Sequence, residues 1–222
     1  MQLSRKILRS DGALNSKPQE LQIFSAAPKT SDLKRAGAFD IFAGATFVLL
    51  VTFLESIYPG YSVHSNSISD LFAIGRLTST IGEPIAFVIA VAWILGGYFL
   101  YRGTGKKAQL VLSILPGSGL LLAVLSPENV NVAIHSVGAL LAFIVAPIIM
   151  LLAYRSISTS FRYFSLAFGI ITLFSVVVEF GGYYSPLVQQ TLGPGGWERA
   201  IIYPVVIWLI GYGNYLLGRA YK

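Results

Sequence analysis

Six long apolar runs occupy most of the sequence after residue 35. Each run approaches the ~20 residues that an α-helix needs to cross about 30 Å of hydrocarbon. None alternates as the strands of a membrane barrel do, and open sheet edges cannot face lipid. The sequence therefore predicts an all-α, polytopic membrane bundle with six transmembrane helices. The predicted spans cover residues 36–57, 81–101, 108–125, 132–154, 163–180 and 200–217.

Charge and cysteine content exclude several classes of protein. Charged residues make up 12% of the chain, whereas soluble domains average about 25%. Cysteine is absent, so disulfides and thiolate metal sites are excluded. The net charge of +6 would suit a nucleic-acid partner, but a basic excess in a polytopic membrane protein is typical of the positive-inside rule. We therefore predict no nucleic-acid partner.

The placement of the basic residues predicts the domain organisation and the orientation. Residues 1–35 form a polar, basic and flexible tail, and residues 36–222 form the six-helix domain. Of the 16 Lys and Arg residues, all but Arg76 and Arg199 fall on one side of the predicted spans. Cytoplasmic loops of membrane proteins are enriched in Lys and Arg. This predicts a multi-pass protein of the cell membrane with both termini in the cytoplasm.

The opposite side carries most of the acidic residues and both histidines. Charged side chains avoid lipid, so polar groups at helix ends should point into the bundle or a wet cavity. We hypothesise that they converge on one cavity open to the outside. The alternative is a helix-packing network in which Arg199 neutralises Glu179 or Glu198. The titratable residues on this side are Glu55, His64, Asp70, Glu83, Glu128, His135, Glu179 and Glu198.

Candidate site residues follow from this hypothesis. Imidazole and carboxyl groups can transfer protons, so His135, Asp70, Glu179 and His64 are the catalytic candidates. Helix-face spacing, the loop before the second span and the start of the sixth span give the candidates for substrate binding. These are Ser69, Asn131, Arg199, Glu198, Trp197, Tyr203, Glu55 and Glu83.

A metal site has little support in the sequence. His64, His135, Asp70 and Glu179 could together supply ligands for zinc or iron. No two of them have a diagnostic short spacing. We therefore predict no metal and no cofactor, with zinc or iron as the alternative.

Four sequence elements resemble a known family of membrane proteins. They are the loop Asn66–Leu71, His135, Glu179 and the segment Gly196–Arg199. Over about residues 38–218 they resemble the domain-of-unknown-function 998 family, small six-span proteins of archaea and bacteria. The resemblance implies the six-helix fold and no particular activity. The helix arrangement more loosely resembles the Frag1 and DRAM group, linked to lipid remodelling and autophagy, and this is an analogy of fold alone.

Three functions remain open at this point, and the sequence leaves undecided whether the protein is an enzyme. The first is binding or processing of a lipid-like or small amphipathic molecule in the outer cavity. The second is a structural or accessory role in a larger complex. The third is transport of a small solute or proton, which is disfavoured because Asp40 is the only ionisable residue in the inner half of the spans. The expected partners are membrane lipids, with other membrane subunits or further copies of the chain as alternatives.

Overall fold

The computed structural model describes residues 29–182 and 184–221. Within these ranges the secondary structure is helical, without strands. Every α-helix except the short α6 is long and apolar enough to cross a membrane. The predicted all-α bundle with six spans is therefore confirmed. The elements are α1 (Thr30–Ile57), a 3-10 turn (Ser69–Phe72), α2 (Leu77–Thr104), α3 (Lys107–Leu125), α4 (Val132–Ala153), α5 (Phe161–Gly182), α6 (Pro186–Gln190) and α7 (Gly193–Ala220).

The first helix begins at Thr30, six residues before the apolar run that predicted it. Its first turn is held by polar contacts. The backbone N–H of Lys29 donates to the carbonyl of Gly103 at 3.1 Å, and buried Asp32 forms ion pairs with Arg35 at 3.5 Å and Arg102 at 3.4 Å. An acidic residue in the first turn also suits the helix dipole. Residues 1–28 of the predicted tail lie outside the described part of the chain.

The last spanning helix also begins earlier than predicted, at Gly193 instead of residue 200. Pro194 occupies the first turn, where proline needs no N–H partner. Hydropathy could not locate this start because glycine and proline lower the mean hydropathy of the segment.

The six spanning helices form a closed ring. Following the ring, the order is α1, α2, α3, α4, α5 and α7, and α7 packs against α1 to complete it. Each helix therefore contacts two main neighbours. Because the ring is closed, its interior is screened from lipid on all sides.

The two ends of the bundle differ in charge. The end that carries Lys29, Arg102, Arg155 and Arg219 is called the basic end here, and the end that carries Glu55, Glu128 and Glu198 is called the acidic end. The location of the basic end in the cytoplasm remains a prediction.

The outward faces of the helices are covered with exposed apolar side chains. Such a surface is stable in lipid and unfavourable in water. It therefore agrees with the membrane assignment. Examples from five helices are Leu49, Phe53, Phe87, Val111, Val137, Ile144, Ile170 and Phe174.

A buried hydrogen-bond relay joins three helices of the ring. The indole N–H of Trp208 in α7 donates to Ser165 Oγ in α5 at 2.7 Å. The Ser165 hydroxyl donates to the carbonyl of Met150 in α4 at 2.6 Å. Both side chains are buried, so neither donor can find water if its partner is lost.

We expect Ser165→Ala to lower the thermal unfolding midpoint in detergent micelles. The substitution leaves the Trp208 N–H unpaired, which costs about 1–2 kcal/mol, or ~2–8 °C for a chain of this size. Ser56→Ala is the matched control, because the Ser56 hydroxyl donates to Phe53 O on an exposed part of α1. Equal midpoints for the two variants would contradict the relay.

Candidate functional site

Residues 58–76 fold over the acidic end and are called the cap loop here. The Asp70 carboxylate organises this loop from within. Its Oδ2 accepts the backbone N–H of Ser67 at 3.1 Å and the side-chain amide of Asn66 at 3.2 Å. The Asn66 side-chain oxygen accepts the N–H of Ser62 at 3.0 Å. Asp70, a catalytic candidate in the sequence, is thus engaged in holding the loop conformation.

Arg199 is the hub of the acidic end. Its side chain is buried, with 6% of the residue exposed. Nη2 donates to Glu55 Oε1 at 2.6 Å, and Nε donates to the same oxygen at 3.2 Å. Nη1 donates to the carbonyls of Gly195 at 2.6 Å and Asn66 at 3.2 Å. One side chain thereby joins α1, the cap loop and α7.

The partner of Arg199 differs from the one that the packing alternative assumed. That alternative paired Arg199 with Glu198, its neighbour in the chain, or with Glu179, which is predicted at the same membrane depth. The structure pairs Arg199 with Glu55. Glu55 lies at the end of α1, and α1 and α7 are direct neighbours in the ring.

Tyr61 completes the hub. Its hydroxyl accepts a hydrogen bond from Arg199 Nη2 and donates one to the Ser67 carbonyl at 2.9 Å. Burial raises the pKa of the Tyr61 phenol to about 12, although the adjacent Arg199 acts in the opposite direction. Tyr61 therefore keeps its proton at neutral pH and remains a donor.

Glu198 anchors the cap loop from α7. It is buried, with 7% exposed, and one carboxylate oxygen, Oε2, accepts the backbone N–H of Ile68. No hydrogen bond to the other oxygen is found among the described residues.

Glycines at the start of α7 make room for the cap loop. The Gly195 N–H donates to the His64 carbonyl at 3.2 Å. A Cβ on Gly195 would overlap the carbonyl oxygen of Asn66, and one on Gly193 would overlap that of His64. The backbone of the loop therefore lies directly on the helix. The sequence indicated only a turn here, since close approach leaves no signal beyond the glycines themselves.

A cavity of about 80 Å³ lies beneath the cap loop and is called the outer cavity here. Ser69, His135 and Glu198 contribute its polar groups. The rest of the wall is apolar and includes Phe143 and Ile202. Three of the residues predicted from sequence thus share one cavity.

The tautomer of His135 follows from its partners. Nδ1 lies 3.1 Å from the carbonyl oxygen of Ala123 and 3.2 Å from that of Ser126. Carbonyls only accept, so Nδ1 carries the hydrogen. In the neutral ring Nε2 is then an acceptor. The imidazole also ties α4 to the last carbonyls of α3, a common use of histidine at helix ends.

Two further cavities follow the outer cavity through shared wall residues. A second cavity of about 50 Å³ has a wholly apolar wall and shares Phe143 and Ile202 with the outer cavity. A third, of about 210 Å³, shares Trp93 and Leu209 with the second. The three cavities therefore form one axial series, called the column here.

Other candidate residues lie outside this cavity. Asn131 caps α4 by accepting the Ile134 N–H at 3.1 Å. The Trp197 indole donates to Thr191 Oγ1 at 3.1 Å. His64 is exposed.

The remaining candidates are buried or partly buried acids and a tyrosine. Tyr203 lies beside Arg199 and Glu55. Glu179 is buried in α5, near enough to Glu198 for their charges to interact. Oxygen atoms of Glu83 and Glu179 have no hydrogen-bond partner among the described residues. Some of the predicted residues thus belong to the Arg199 hub or the outer cavity. Besides Asp70, which holds the cap loop, five belong to neither, namely His64, Glu83, Asn131, Glu179 and Trp197.

No group of three or more His, Asp and Glu residues that could hold a metal ion occurs in residues 29–182 and 184–221. His64, His135, Asp70 and Glu179 are therefore not gathered into the set that the metal alternative required. The geometry gives zinc or iron no support.

We expect Gly195→Ala to destabilise the protein and loosen the cap loop, because the added methyl group would displace the loop backbone. Overpacking of this kind costs about 1–3 kcal/mol. Gly218→Ala on the same helix is the matched control, since its Cβ meets nothing within 4 Å. The measurement is the unfolding midpoint with limited proteolysis in the loop. Equal behaviour of both variants would contradict this packing.

Comparison with known proteins gives one match. A search of curated proteins and a search of solved structures each return no match. The looser likeness to the Frag1 and DRAM group stays a prediction. A family model described as "Protein of unknown function (DUF998)" matches residues 41–214, which is more than half of the chain. The chain belongs to this family of membrane proteins.

Proposed function

We propose that the protein binds a single-chain, lipid-like amphipath at the acidic end of the column. The polar group of the ligand would lie in the outer cavity against Ser69, His135 and Glu198. Its apolar chain would follow the column toward the middle of the ring and displace the apolar side chains that narrow it, since the outer and second cavities measure only about 80 and 50 Å³. The observation that carries the proposal is that Ser69, His135 and Glu198 line the outer cavity, which shares apolar wall residues with the cavity next to it.

The unused hydrogen-bonding groups of the cavity define the polar group. Glu198 has one oxygen free of hydrogen bonds to the described residues, and the neutral His135 ring has an acceptor at Nε2. With Glu198 ionised and His135 neutral, both groups accept and favour a ligand that donates, such as a hydroxylated headgroup. The apolar wall adds about 0.8 kcal/mol for each methylene that it buries.

The geometry does not support hydrolysis by a Ser–His pair. Such a pair needs the histidine within hydrogen-bond reach of the serine. The Ser69 hydroxyl donates to Glu128 Oε2 at 2.8 Å and lies 2.9 Å from Ser67 Oγ. No bond joins Ser69 to His135 among the described residues.

Transport is a second candidate, supported by the length of the column. The sequence disfavoured it because the inner half of the spans was nearly bare of ionisable groups. Asp40, however, lines the cavity at the basic end. A column with polar groups at both ends is compatible with passage of a small molecule. A structural or accessory role remains as a third candidate.

The test is ligand-induced stabilisation of the full chain in lipid nanodiscs by 1-monopalmitoylglycerol. We expect this probe to raise the unfolding midpoint by a few degrees, because a ligand that binds only the folded state stabilises it. Ala139→Phe should abolish the rise, since Ala139 lines the outer cavity and the ring would fill it. Glu198→Gln should weaken it.

Ala133→Phe is the matched control. Ala133 lies on the same helix, is exposed and does not line the cavity. It should retain the full rise. An equal rise in Ala139→Phe and Ala133→Phe, or no rise in the unmodified chain, would contradict the proposal.

A further inference from the structure

The largest cavity of the column lies at the basic end and is called the inner cavity here. It measures about 210 Å³ and lies between α1, α2, α3, α4 and α7. Its rim includes the exposed residues Lys106, Ala108 and Ser156, so it opens at this end. A cavity of about 150 Å³ accommodates benzene. The inner cavity therefore has room for a molecule somewhat larger than benzene.

Asp40 contributes a buried carboxylate to this cavity. Only 5% of the residue is exposed, and it forms no hydrogen bond or ion pair with the described residues. The side chain lies against α2, where a Cβ on Gly96 would be 2.5 Å from Asp40 Oδ1. A carboxylate in such surroundings is costly unless a positive group neutralises it.

The basic residues of the same end do not neutralise Asp40. Arg35 and Arg102 form ion pairs with Asp32 instead. Lys106 is exposed on the rim and forms no ion pair with Asp40. An ionised Asp40 would therefore need a positive partner from outside the described residues, and without one the carboxyl group is neutralised by a proton.

Three aromatic residues share the inner cavity with Asp40. Trp93, Trp208 and Tyr212 line the same cavity. Trp208 and Tyr212 are stacked, with ring centroids 4.6 Å apart and planes 9° from parallel. The Trp208 indole is fixed by its hydrogen bond to Ser165. Rings held beside a carboxylate are the groups that recognise organic ammonium ions, through attraction of the cation to the ring.

We propose that the inner cavity binds a small organic cation, with its ammonium group at Asp40 and its carbon substituents against Trp93, Trp208 and Tyr212. A divalent metal ion fits less well, because it requires about six oxygen ligands and most of the cavity wall is apolar. This site is at the opposite end of the column from the proposed amphipath site and uses none of its polar residues.

The test is isothermal titration calorimetry of the full chain in nanodiscs. The probes are tetramethylammonium and phenethylammonium, compared with the neutral 2,2-dimethylpropan-1-ol and with magnesium chloride. We expect saturable binding of the two organic cations, and no binding of the neutral alcohol or of magnesium. Asp40→Asn should weaken it at least tenfold, and Trp93→Leu should weaken it severalfold. Lys106→Gln should strengthen it, since a like charge leaves the rim.

Glu179→Gln is the matched control, because Glu179 is also a buried carboxylate on a spanning helix but does not line the inner cavity. It should bind the cations as the unmodified chain does. Thermal unfolding of each variant checks that Asp40→Asn and Trp93→Leu are folded. Absence of cation binding, equal binding of the neutral probe or of magnesium, or unchanged affinity in folded Asp40→Asn would overturn the proposal. None of these outcomes depends on binding of 1-monopalmitoylglycerol.

Discussion

The ion pair between Arg199 and Glu55 holds the acidic end of the bundle together. Burial of two charges is costly, and the attraction between them offsets this cost only when the remaining hydrogen-bonding groups are satisfied. Here Glu55, Tyr61 and the carbonyls of Asn66 and Gly195 take up the guanidinium donors. The Glu55 side chain keeps 20% of its surface exposed, so removal of one partner should cost less than it does in a fully buried pair, where the cost is about 3–5 kcal/mol.

The position of the cap loop follows from this pair. Arg199 and Tyr61 fix the loop backbone, Glu198 holds the Ile68 N–H, and glycines let α7 approach the loop closely. The loop then covers the outer cavity, and Ser69 reaches the same space as His135. The Arg199 hub therefore holds the cap loop over the outer cavity.

Much of the fold could be predicted from the sequence, because the physics of the bilayer leaves few solutions. Backbone groups in lipid must be paired within the chain, so apolar runs of about 20 residues predict helices. The starts of α1 and α7 could not be predicted in the same way. Asp32 fixes the start of α1 through ion pairs, and glycine packing against the cap loop fixes the start of α7. Neither interaction changes the hydropathy of the segment.

The site could be predicted in part. The polar stripe of the fourth span, the loop before the second span and the start of the sixth span pointed to His135, Ser69 and Glu198, but these patterns could not assign partners. Glu55 lies 144 positions from Arg199, and only the order of helices in the ring brings the two together. In the sequence, Asp40 is an isolated acid near the end of a predicted span. Its significance depends on the cavity around it, which forms from five helices and has no local sequence signal.

The most direct test of this account is hydrogen–deuterium exchange in the cap loop of the full chain, with and without Glu55→Gln. Peptides covering residues 61–72 report the loop, and peptides from the middle of α5 report the ring. If Arg199 and Glu55 hold the loop, the variant should exchange at least tenfold faster in residues 61–72 and remain unchanged in α5. Unchanged exchange in the loop of Glu55→Gln would contradict the central role of the ion pair.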